Sequence, residues 1–122
     1  MNKVQIVLRI LLVLEFIGIC YLSLKSPDGG VQVKLNDKVG HFIGYSILSL
    51  NTFLVFGFKP TKKGILLILG LLGLGGLLEI FQGFVPGREV SMMDIVANST
   101  GVFIGTALYY WWKKYQSSSK IS

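Results

Sequence analysis

The chain has 122 residues, a net charge of +6, 52% hydrophobic residues and only 15% charged ones. So few charges cannot cover a soluble domain of this size, and the apolar runs are too long for buried strands. This reads as an integral membrane protein folded as one small domain over residues 1–122. No basic stripe is interleaved with aromatic residues as a nucleic-acid surface requires, and the single Cys20 excludes an intrachain disulfide and a cysteine metal site.

Four segments are predicted to cross the bilayer as helices: 4–24, 39–58, 64–84 and 92–112. Each has roughly 20 residues, which at about 1.5 Å per residue matches a hydrocarbon core of about 30 Å. The first contains Arg9 and Glu15 and lacks a clear small-residue cleavage site after it, so it reads as a retained helix rather than a signal peptide. Residues 25–36 hold Pro27 and Gly29-Gly30 and read as a turn-rich loop; 59–63 and 85–91 read as tight turns, and 116–122 as a frayed polar tail.

Lys3, Lys59, Lys62, Lys63, Lys113, Lys114 and Lys120 fall on one side of this topology, against Lys25, Lys34, Lys38 and Arg88 on the other. The bias predicts both termini inside, with Tyr109 to Trp112 and the two lysines that follow anchoring the inner interface. Hydrophobicity does not drive helices together in lipid, whereas small residues permit close backbone approach. Gly40 and Gly44, four glycines between 70 and 76, and Gly101 with Gly105 predict a tight bundle of the last three helices, with the first at its periphery. The expected fold is an all-α, four-helix membrane bundle.

Eight polar residues stand at or just inside the ends of these segments: Asp37, Lys38, His41, Glu79, Gln82, Arg88, Asp94 and Asn98. All come to the outer membrane face in this topology. Asp37 and His41 are four apart, as are Asp94 and Asn98, while Glu79 and Gln82 are three apart, so each helix presents one polar stripe. Ionisable groups in a bilayer are costly, and pointing the stripes at each other is the arrangement of lowest cost. Ser91 is placed to cap the last helix, and Arg88, in the turn above, to clamp a carboxylate or phosphate.

These residues resemble the VanZ-like family of small bacterial membrane proteins. The resemblance is carried by Asp37-Lys38-x-x-His41, Glu79-x-x-Gln82, Pro86-Gly87-Arg88, Asp94 and Asn98-x-x-Gly101, across residues 37–105. It implies a link to teicoplanin and related glycopeptide or lipoglycopeptide tolerance in Gram-positive bacteria, without a mechanism.

The cluster itself has three readings: a hydrogen-bonded network pinning helix ends, a ligand site, or a catalytic site using His41 and Glu79. One histidine with a few carboxylates and no paired-histidine spacing is a thin metal set, so no metal and no cofactor are expected. No nucleophile elbow or phosphate-binding loop is present. With the polar convergence, the resemblance implies a non-enzymatic envelope accessory protein of the bacterial cytoplasmic membrane. Its outward pocket takes a membrane lipid, a lipid-linked wall precursor or the glycopeptide itself. The rival expectations are a small enzyme acting on a lipid headgroup and a structural partner of a larger membrane complex. A homodimer fits the size.

Overall fold

A computed structural model describes residues 1–25 and 31–120, with side chains in the second stretch from residue 37 onward. The expected turn at Pro27 and Gly29-Gly30 lies outside the described residues. Four helices follow in order: α1 Lys3–Leu24, α2 Val31–Phe56, α3 Lys62–Gln82 and α4 Met92–Ser119; among the described residues there is no strand. Three spans are long and apolar enough to cross a membrane: α1, α2 from Asp37 onward, and α3. The fourth helix, predicted as a span, is less apolar than these.

Local chemistry sets the ends. Asn2 caps α1 by accepting from the Gln5 backbone N–H at 2.8 Å. Gly57 closes α2 with φ +77, a left-handed position that suits a residue without Cβ, and its N–H donates to the Phe53 carbonyl at 2.8 Å. Two boundaries differ from expectation. The second helix starts at Val31 rather than 39, because nothing between 31 and 38 breaks a helix. The fourth continues to Ser119, since serines at a helix end weaken it without stopping it.

The helices form a ring. The largest interface joins α2 and α4; α1 packs on α2, α3 on α4, and α1 touches α3, leaving α2 and α3 on the diagonal. The first helix touches both α2 and α3 but stays largely exposed, with Ser23 its buried residue, as expected of a peripheral helix. The core is Tyr45, Leu48, Phe53, Leu71, Val102 and Tyr109, with Phe53 stacked edge-on against Phe58 and tilted against Tyr109.

Backbone approach between α2 and α4 is close. A Cβ on Gly101 would meet the Phe42 carbonyl at 2.6 Å, and one on Gly105 would meet the Ser46 carbonyl and, at 2.7 Å, the Ser49 Cβ. The gap is stitched by Ser49, whose hydroxyl donates to the Val102 carbonyl at 2.8 Å and lies 3.2 Å from the Thr106 hydroxyl. Of the four α3 glycines between 70 and 76, Gly75 alone is approached, by Asn98 and Tyr45; Gly70, Gly73 and Gly76 face open space, as does Gly40 in α2.

Glu15, with no partner visible in sequence, is held by α2: the Asn51 amide donates to its Oε2 at 3.1 Å and to the Leu8 carbonyl at 3.2 Å. Thr52 instead bonds within its own helix, to the Leu48 carbonyl. Arg9, expected near the boundary, stands over the Phe56 ring. Asn51→Leu should strand Glu15 among apolar side chains and lower thermal stability in detergent by about 1–2 kcal/mol, whereas Glu15→Gln should cost little because the amide keeps the bond.

Candidate functional site

The ring brings four helix ends together at one pole: the end of α1, the start of α2, the end of α3 and the start of α4. The polar residues singled out in sequence gather here. Asp37 and His41 share a face of α2, with the carboxylate 3.6 Å from His41 Nε2. His41 is in turn stacked on Tyr45, one turn further in. From α4, Asp94 pairs with Lys38 at 2.9 Å. From the turn, Arg88 donates to Asp37 at 3.1 Å. The pairs thus cross between elements, Arg88 with Asp37 and Lys38 with Asp94.

Arg88 does more than pair. Its Nε donates to the Lys25 carbonyl at 2.6 Å and an Nη to the Leu22 carbonyl at 3.0 Å. Those carbonyls end α1, where cations and donors are favoured by orphan carbonyls and the helix dipole. The clamp expected for a ligand anion is therefore engaged with the chain itself, and two of its five N–H groups stay outside these bonds. Gly87, φ +84, gives the turn the left-handed step that carries Arg88 over the bundle.

Glu79 is the deepest carboxylate, 1% exposed. Its Oε1 accepts the backbone N–H of Ser91 at 2.6 Å, at the start of α4. Ser91 does occupy the cap position, but its side chain makes no capping bond; a carboxylate from α3 satisfies the helix end instead. The electrostatic neighbours of Glu79 are Asp94, His41 and Asp37. Asn98 lies against Gly75, beside the Tyr45 ring, and Gln82 is fully buried at the end of α3.

Four buried polar atoms here have no partner among the described residues: Tyr45 Oη, Glu79 Oε2, Gln82 Nε2 and Asn98 Oδ1. Buried polar groups are nearly always satisfied, so four in one region call for an explanation. Tyr45 repeats the Asp37–His41 step by four more residues in the sequence, and it joins these residues in the structure. Asp37, His41 and Asp94 place one ligand-type atom each within 4.8 Å of one another, a set closed in space by a residue from a second helix.

Toward the opposite pole, an apolar groove of about 640 Å³ opens between α1, α2 and α3, lined by residues including Leu12, Phe16, Thr52, Leu71, Leu74 and Leu77. Leu77 stands two residues before Glu79 on α3.

Compared with known proteins, residues 4–113 match the family model VanZ/LLP1. The chain is also similar to an uncharacterized protein of Schizosaccharomyces pombe, 35% identical over 79 residues, which is 64% of this chain and 49% of that protein. It thus spans about half the length of that curated relative. No solved structure matches.

Proposed function

The chain belongs to the VanZ/LLP1 family, and from that premise we propose a non-enzymatic accessory protein of the cell envelope that holds an amphiphile at its polar pole. In this reading it sits in the bacterial cytoplasmic membrane with both termini inside, an orientation that the bias of lysines toward the other pole supports. The pole carrying Asp37, Lys38, His41, Glu79, Gln82, Arg88, Asp94 and Asn98 then faces outward. The four unpartnered buried atoms carry the reading: they offer both donors and acceptors to a headgroup. Lys38, whose side chain is 34% exposed, and the N–H groups of Arg88 not spent on α1 and Asp37 meet its anionic part. The groove toward Leu74 and Leu77 takes an acyl or prenyl tail. An envelope lipid or lipid-linked wall precursor has this chemistry, as does a lipoglycopeptide. Holding one would reduce access of teicoplanin-like antibiotics to their target.

Native mass spectrometry of the protein released from its own membranes tests this. A lipid-mass adduct on the wild type that is lost in Lys38→Ala is the expected result. Bare protein throughout would sink the proposal. The rival is an enzyme using His41 and Glu79 as acid and base, favoured by the unpartnered Oε2 of Glu79. Glu79→Gln separates the two: it keeps shape and most hydrogen bonding but exchanges no proton. The binding reading expects an adduct at a substantial fraction of the wild-type level, whereas an enzyme would lose turnover of its lipid.

A further inference from the structure

We infer that Asp37, His41 and Asp94 form a site for a divalent transition-metal ion, with Glu79 behind them as a supporting carboxylate. Geometry comes first. Two ligand atoms about 2.1 Å from a tetrahedral metal stand about 3.4 Å apart. His41 Nε2 and Asp37 Oδ2 are 3.6 Å apart, on one face of α2 four residues from each other. Asp94 brings the third ligand from α4, and the three ligand atoms lie within 4.8 Å of one another, so rotamer adjustments of about 1 Å close the set. Ligands drawn from two facing helices are how bundles hold metals. The side chains of His41 and Asp94 are 8% and 7% exposed, which shields an ion from competing water.

Charge supplies the second argument. Asp37, Asp94 and Glu79 face two cations, Arg88 and Lys38. Three carboxylates thus face two cations in a buried region where unbalanced charge is costly. Glu79, 1% exposed, leaves Oε2 without a partner, and its electrostatic neighbours are Asp94, His41 and Asp37. A divalent cation answers the excess. Asp94 has a second oxygen beyond the one Lys38 holds, while Asp37 Oδ2 would be shared between the ion and Arg88. One imidazole with carboxylates suits zinc, manganese or iron better than calcium or magnesium, which prefer oxygen alone.

The inference is independent of the amphiphile reading, since metal uptake is read in detergent without added lipid. The untagged, full-length protein, stripped with chelator and dialysed, is titrated with Zn²⁺ by calorimetry, and with Co²⁺ for its visible absorption. One Zn²⁺ per chain is expected, with affinity falling at least about tenfold in His41→Ala and Asp94→Asn. Lys38→Met removes the ammonium that competes for Asp94 and should raise affinity, a gain that a damaged fold cannot produce. Equal Zn²⁺ uptake by wild type, His41→Ala and Asp94→Asn would overturn the site. So would a Lys38→Met protein whose affinity is unchanged or lower.

Discussion

Gly105→Val is expected to force α2 and α4 apart and abolish recovery of monodisperse protein from detergent. The added side chain meets the Ser46 carbonyl, the Ser49 Cβ and the Leu50 backbone nitrogen, two of which are backbone atoms that cannot swing aside. Overpacking of a core costs about 1–3 kcal/mol when side chains can yield, and more when they cannot. The same displacement breaks the Ser49 bonds to Val102 and Thr106, which depend on that close approach. Gly76→Val is the matched control. It changes the same residue type in a neighbouring helix where a Cβ meets nothing within 4 Å, so it should leave yield and thermal stability near wild type. If both variants behave alike, the close contact at Gly105 is not what holds the pair.

Arg88→Ala should lower thermal stability by about 3 kcal/mol, because it frees the end of α1 and leaves Asp37 without its guanidinium. Arg88→Lys should recover only a minor part. A single ammonium can balance Asp37 but cannot span that carboxylate and two carbonyls at once, as a planar fork does. Cys20, a partly buried free thiol on α1, gives a second readout: its modification rate should rise in Arg88→Ala as α1 loosens. Unchanged melting and unchanged thiol reactivity would show that the α1 tie contributes nothing.

Spacing within one helix carried much of this site. The Asp37–His41 and Glu79–Gln82 steps already set each pair on one face, and the order of turns brings those faces to one pole. What spacing could not supply was pairing between helices. Nothing in the chain says that Arg88 takes Asp37 while Lys38 takes Asp94, or that Glu79 rather than the Ser91 side chain satisfies the start of α4. Those choices depend on the rotation of one helix against another. Glycines show the same limit. In α3 the apolar residues run all the way round, so no stripe marks a buried face, and four glycines look equivalent until Asn98 and Tyr45 close on Gly75 alone. The α1–α2 contact was hidden for the same reason: it runs through Glu15 and Asn51, far apart in sequence.

The ring order also constrains how the protein is made. Synthesis delivers α1, α2 and α3 before α4, so the α2 face that carries Tyr45, Ser49 and Phe53 waits in the bilayer for the last helix to be released. That last helix is the least suited to lipid of the four, and the three spans apolar enough to enter alone all precede it. Its entry into a membrane is therefore expected to depend on the α2 face it packs against. Insertion of α4 is then expected to follow that of the other three helices, and a fault on the waiting face of α2 would surface first as an α4 that never enters.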